Sequence, residues 1–319
     1  MAGLCEGGNE PPGSLKARSL DKLGSANIDS SDQINVPSLR KLLRDKEFDS
    51  WCTLPPKGKG VILYKEYTPG NKWLCKPNGL TSSEWKAAIK MTANVCPVRA
   101  LPGRSQSEKE TLAHILGACP HGELLRNSRH HKIRSLLASA LRGKDYKVEE
   151  EVHGSSTNGS SRRIDIISIP TRSTSGFIID PTVRVETYEN QPGEVHQEKC
   201  DIYDPTIPYY KEKYHLTSIE VIGLLIGARG TITKRFAHFC KKFDLGQTLV
   251  TEISLSAVKG SIKILRNHLY TRGGKRLKLQ AATCGNGPKL FRGRGTKKSE
   301  EERERIRDME SSPSPEWVA

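Results

Sequence analysis

The sequence predicts an α/β chain, with a three-layer α/β/α core built on a mixed sheet. Three observations predict it. Two short runs rich in β-branched residues, Arg163–Ile169 and Phe177–Ile179, are too short for helices and read as neighbouring strands. Leu124–Leu141 carries Ile133, Leu136, Leu137, Ala140 and Leu141 at i, i+3, i+4, i+7 and i+8, the spacing of one helix face, and Gly143 stands just past its end. A further apolar run, Ile219–Ile226, follows a polar helical stretch, so a helix crosses between strands.

Taken in order, residues 1–46 are rich in Gly, Ser, Asn and Pro and are expected to be disordered, with a short helix at Ser38–Asp45. Residues 47–123 precede the core. Here Val61–Tyr64 reads as a strand. Thr81 followed by Glu84 caps a helix over Glu84–Met91. Glu110–Cys119 reads as a helix with Leu112, Ile115 and Leu116 on its apolar face. The core domain spans 124–270. Tyr146–His153 is its first strand, with Val148 and Val152 on one face and Glu149 and Glu151 on the other. Gly154–Ser161 is a polar turn. Pro181, directly after Asp180, suggests an edge strand or a strand exit. Gly227-Ala228-Arg229-Gly230 has the G-x-x-G spacing of a KH loop, but the apolar run before it and the helix after it (Thr231–Phe243) favour the last core strand. Val250–Tyr270 turns Ile253, Ala257, Ile264 and Leu265 inward, with Gly260 weakening its middle. Residues 271–319 form a basic tail, expected to be mostly disordered.

The net charge of +15 favours an anionic partner, most simply nucleic acid. The excess is concentrated. Lys259 to Lys298 holds 12 lysines and arginines and no acid. None of the eight cysteines forms a C-x-x-C pair, and neither a signal-peptide core nor a membrane-length apolar run is present. A soluble intracellular chain with reduced thiols is expected, with no membrane partner.

Asp165 and Asp180 lie fifteen positions apart on neighbouring strands, so their carboxylates can meet at one end of the sheet. Magnesium needs oxygen ligands and keeps several waters, so two acids and a phosphate suffice for it. Such a site can polarise a phosphodiester and activate a water. Glu151 is preferred over Glu149 as a third acid nearby. Lys199 and Tyr203 are four apart and share a helix face.

An acid, one strand-turn-strand, a second acid and then a lysine is a plan that resembles the restriction-enzyme-like nuclease superfamily. There the lysine usually lies two residues after the second acid, a position held here by Thr182. The block DPTVRVE followed by Lys199 and Tyr203 is similar to the endonuclease at the C-terminal end of site-specific, type-1 (non-LTR) retrotransposon polyproteins. The resemblance implies a small restriction-endonuclease-like core that nicks target DNA. Asp165 and Asp180 would hold Mg2+ (or Mn2+), Lys199 would polarise the water or phosphate, and Glu186 and Tyr203 would support them. Arg129 and His130 match an arginine–histidine pair that lies close to the active site in that family.

The same resemblance extends to Asn94-Val95-Cys96-Pro97-Val98-Arg99 and to His114 and Cys119, which have the H-x-x-x-x-C spacing of half a zinc knuckle. The C-x-x-C half is missing and only Cys96 and His121 lie near, so the zinc site reads as degenerate. No Tyr-x-Asp-Asp polymerase box occurs in the chain. The expected partner is DNA, with RNA as a further ligand, and the expected location is the nucleus. The competing expectation is a nucleic-acid-binding remnant without catalysis.

Overall fold

The computed structural model describes residues 36–98 and 110–270; the polar N-terminal stretch up to residue 35 and the basic tail from 271 lie outside the described residues. The helices and strands run α1 (Val36–Cys52), α2 (Ser82–Thr92), α3 (Leu112–Gly117), α4 (Glu123–Arg142), β1 (Tyr146–Ser155), β2 (Ser161–Pro170), β3 (Ser175–Arg184), α5 (Gln191–Tyr203), α6 (Ile207–Tyr214), β4 (Ser218–Gly227), α7 (Lys234–Lys242) and α8 (Gln247–Tyr270). The sheet has the order β1-β2-β3-β4. β1–β2 and β2–β3 are antiparallel, and β3–β4 is parallel. A parallel neighbour cannot be reached by a hairpin, and α5 and α6 supply the crossover. The α/β class and the mixed sheet are those the sequence predicts.

Apolar side chains on the two sheet faces feed separate cores. Ile166, Ile179 and Ile222 pack with Ile133 and Leu137 of α4, Phe236 and Phe239 of α7, and Ile253 of α8. Ile167, Ile178 and Val221 pack on the other face with Tyr203 and Tyr210 from α5 and α6. A third cluster joins Trp73, Met91, Ile115 and Leu116 to Val258 and Ile262 of α8. Thus α8 serves two cores, which is why it is buried along most of its length.

Four expectations are corrected. Val61–Lys65 is a 3-10 helix, not a strand, and a second 3-10 helix follows at Thr68–Leu74. Residues 36–46 fall within the 17-residue α1, so the short helix expected at Ser38–Asp45 is the N-terminal half of a longer one. Pro181 lies inside an internal strand rather than on an edge or at an exit. The β2–β3 ladder stops at Ile166↔Ile179, so Pro181 has no β2 partner to lack, while β3 continues against β4 to Arg184. Val148 and Val152 do not share a face, since Val148 joins the α4 core and Val152 the α6 core.

The last correction has a local cause. Glu151 adopts a left-handed backbone with φ 54°. The β1–β2 ladder pairs Glu150 with Ile166 and Val152 with Ile164 but skips the position between them, where Glu151 stands opposite Asp165. The inside–outside alternation inverts across that gap on both strands, because Ile166 and Ile164 also fall in different cores.

The end of β4 is tied to the N-terminal region by one buried ion pair. Arg229 Nε lies 2.9 Å from Glu186 Oε2, and each side chain is at most 1% exposed. Glu186 also accepts from the backbone N–H of Arg229 and of Thr231, at 3.2 and 3.3 Å. The rest of the guanidinium donates to the carbonyls of Thr92, Lys59 and Glu186. Tyr64 Oη donates to the Arg229 carbonyl at 3.0 Å. The Gly-Ala-Arg-Gly loop is therefore turned inward, which supports its reading as a strand end. Replacing Arg229 with Met leaves Glu186 charged and unpaired. It is expected to destabilise the fold by about 3–5 kcal/mol, read as a lower urea midpoint at unchanged m-value.

Candidate active site

Register alone brings two of the predicted residues face to face. One step beyond the last β2–β3 pair, Ile166↔Ile179, stand Asp165 and Asp180. Past that pair the strands part, and the opening becomes a cleft of about 380 Å³ lined by Asp165, Asp180, Thr182, Arg129, His130 and Lys199, among others. The elements converge from three sides: β2 and β3 bring the acids, α4 brings Arg129 and His130, and α5 brings Lys199.

Asp180 is the hub. It is only 4% exposed, and three donors surround it. Lys199 Nζ lies 3.1 Å from Oδ2. Tyr203 Oη donates to the same oxygen at 2.8 Å. Thr182 Oγ1 donates to Oδ1 at 2.9 Å. Burial and the nearby Asp180 and Asp165 carboxylates push the Tyr203 phenol well above its ordinary pKa, so it remains a donor through the physiological range. Lys199 and Tyr203 reach one carboxylate together because they stand one helical turn apart on α5.

α5 must lie close to the sheet for this, and Gly223 permits it. A Cβ at Gly223 would stand 2.8 Å from His196 Cα and 2.9 Å from both Lys199 Cβ and Cγ. Gly223 is also the β4 partner of Asp180. His196 Nδ1 accepts from the Gly223 N–H at 3.2 Å, which fixes the helix against the strand from the other side of that contact.

Asp165 is held from α4, with His130 Nε2 lying 3.0 Å from its Oδ2. Arg129, the adjacent residue, is buried at 4% exposure. Its Nη1 donates to Ser261 Oγ at 2.7 Å and its Nη2 to the Leu116 carbonyl at 3.2 Å. Burial, with the neighbouring charge of Arg126, pushes its pKa down to about 10, against an opposing pull from Glu186.

Four predicted residues stand elsewhere. Glu151 is opposite Asp165 in register but does not line the cleft. Its carboxylate lies 2.5 Å from Arg134 Nη1 and 3.7 Å from both His131 and Arg163. The hydrogen bond from Arg134 holds its pKa below the ordinary carboxylate value. His114 and Cys119 do not form half of a metal cage. The Cys119 thiol is buried 3.5 Å from His268 Nδ1, and His268 Nε2 lies 2.9 Å from Glu110. Among the described residues, no three His, Cys, Asp or Glu side chains are grouped to hold a metal ion. Glu186 is committed to Arg229, outside the cleft.

The donor set in the cleft does suit a hard cation. The Asp165 and Asp180 carboxylates both line the cleft and offer the few protein oxygens that magnesium takes, with waters and phosphate oxygens completing the shell. Two contributors escaped sequence reasoning. Thr182 could have been found, because two residues along a strand from Asp180 it must share a face with it. Gly223 carries no functional group and left no such signal.

No family model matches the chain. A Retrovirus-related Pol polyprotein from type-1 retrotransposable element R2 of Popillia japonica is 25% identical over 213 residues, covering 62% of this chain and 43% of the polyprotein. The chain is related to a type-1 retrotransposon polyprotein region. A second R2 polyprotein from the same organism is 26% identical over 141 residues, covering 41% of this chain and 20% of its own length. The chain thus spans less than half the length of either retrotransposon relative. No helix among the described residues is long and apolar enough to cross a membrane.

Two substitutions probe the geometry. Gly223→Ala is expected to cost about 1–3 kcal/mol from overpacking, read as a lower melting temperature. In its crystal structure Lys199 Nζ should move beyond ion-pair reach of Asp180, more than about 4 Å. Tyr203→Phe keeps the ring and removes one donor to a buried carboxylate. It should cost about 1–3 kcal/mol in chemical denaturation, with the sheet unchanged.

Proposed function

We propose that this chain is a metal-dependent DNA endonuclease that nicks its target by hydrolysing a phosphodiester. The observation that carries the reading is the convergence of Asp165, Asp180 and Lys199, from three separate elements, on one water-accessible cleft. The similarity to R2 polyproteins supports it, as does the surplus of positive charge. The proposal places the chain within the restriction-enzyme-like nucleases and among proteins of the nucleus.

Asp165 and Asp180 are the residues that would hold Mg2+ or Mn2+. Such an ion supplies Lewis-acid polarisation of the phosphoryl oxygen and a lowered pKa for a coordinated water. The chain's own residues do the rest. Lys199 presents a fixed ammonium beside Asp180, where negative charge grows on the phosphoryl oxygens during attack. Tyr203 and Thr182 each donate to a different oxygen of Asp180, which fixes the rotation of its carboxylate. His130 does the same for Asp165. Arg129 adds positive potential at the cleft wall and favours a polyanion there.

A second reading, nucleic-acid binding without hydrolysis, is favoured by the incomplete zinc motif, since Cys119 is committed to His268 instead. Nicking of supercoiled plasmid by the purified chain separates the two. The nuclease reading expects open-circular product with magnesium, none with EDTA, and none from Asp165→Ala or Asp180→Ala. Lys199→Met should retain metal-dependent nicking slowed by about 10²–10³-fold. Plasmid that is bound in a salt-sensitive way yet stays supercoiled with magnesium and manganese would favour the second reading.

A further inference from the structure

A second surface carries the chemistry of nucleic-acid binding and shares no residue with the cleft. A groove of about 520 Å³ runs between α2 and the last turns of α8. Lys86 and Lys90 stand one helical turn apart on α2, both exposed. Arg266 faces them from α8, its Nη2 donating to Ser83 Oγ at 2.8 Å. Among the described residues, no acid lines the groove. Glu84, on the same helix, is taken up by its capping role, accepting from the Thr81 N–H at 2.8 Å. The floor is apolar, formed by Ala87, Pro97, Leu265 and Leu269. At its end the Tyr270 ring is 78% exposed and lies open to water.

We propose that this groove binds a single strand of nucleic acid. The three cations match phosphates along one strand, while the apolar floor and the open Tyr270 ring match the faces of unstacked bases. An acidic peptide would satisfy the cations but leave the ring and floor without use. A duplex would satisfy the cations too, but its bases are stacked and cannot reach Tyr270. The sequence continues the same chemistry, since the Lys259–Lys298 stretch that includes Arg266 and Tyr270 has 12 basic residues and no acid. The proposal does not depend on the cleft being catalytic.

The test uses the full chain and 12-nucleotide strands, oligo(U) and oligo(dT), each labelled for anisotropy and each also made with 5-iodouracil for photocrosslinking. Wild type is expected to crosslink at Tyr270. The combined variant Lys86→Glu, Lys90→Glu, Arg266→Glu should bind more than about tenfold more weakly near physiological salt. Its log–log salt slope should be shallower by about 2, at roughly 0.7 per lost phosphate contact on a single strand. Tyr270→Ala should weaken binding at least about fivefold, with Tyr270→Phe restoring it through stacking alone. Either sugar bound in this way supports the proposal, and the two arms tell which is preferred. Unchanged affinity and slope in the triple variant, crosslinks only within residues 271–298, or equal protection of Tyr270 by duplex would overturn it. Asp165→Ala, run in parallel, should bind both strands as wild type does, so the groove and the nuclease reading can fail independently.

Discussion

The structure depends most on a charge pair that no water reaches. Glu186 follows β3 and Arg229 follows β4, so their pairing clamps the ends of the two parallel strands. The same guanidinium spends its remaining donors on the carbonyls of Lys59 and Thr92, which belong to the N-terminal region. Burying an ion pair is costly unless every remaining donor and acceptor is met, and here the backbone meets them. Glycines allow the approach. A Cβ at Gly60 would stand 2.1 Å from the Glu186 carbonyl, and Gly60 has a positive φ of 74°. The G-x-x-G loop is therefore part of the fold's internal wiring. Lysine could not replace this arginine, since a single ammonium cannot address carbonyls and a carboxylate in a planar fork.

The cleft arises where the sheet's regularity fails. β1 loses its pairing at Glu151, opposite Asp165, and the β2–β3 ladder ends one step before Asp165 meets Asp180. Three carboxylates in one row of a regular sheet would repel one another across distances of about 5 Å. The left-handed backbone at Glu151 turns its carboxylate toward Arg134 and leaves the other two to the cleft. Strain and lost pairing thus coincide with the residues that carry the proposed chemistry, a common pattern at functional sites.

Much of this was legible. The four strands, the long α4 helix and the crossover follow from apolar periodicity, which the elements keep, outside the inversion at Glu151, because each buries one face or both. The opposition of Asp165 and Asp180 follows from strand spacing, whereas the reach of Lys199 came from a family resemblance. What escaped reading had physical reasons. Val61–Tyr64 looks like a strand because its residues favour one, yet it has no neighbouring strand to pair with and curls into a 3-10 helix. Pro181 argues for an edge only if its missing N–H faces a partner, and that depends on where β2 stops. The inversion at Glu151 depends on a single backbone angle, which no composition rule encodes.

Gly223 has a consequence for how a chain of this kind drifts over generations. Asp165 and Asp180 stand out in the sequence, and on the proposed function a copy lacking either would read as inert. Gly223 announces nothing, yet it sets how near α5 may stand to β4 and hence whether Lys199 can reach its carboxylate. On the proposed function, a copy could keep every reactive group and lose activity through one added methyl group. Among related sequences, this glycine should be as invariant as the lysine beneath which it lies, and its state should separate working copies from relics.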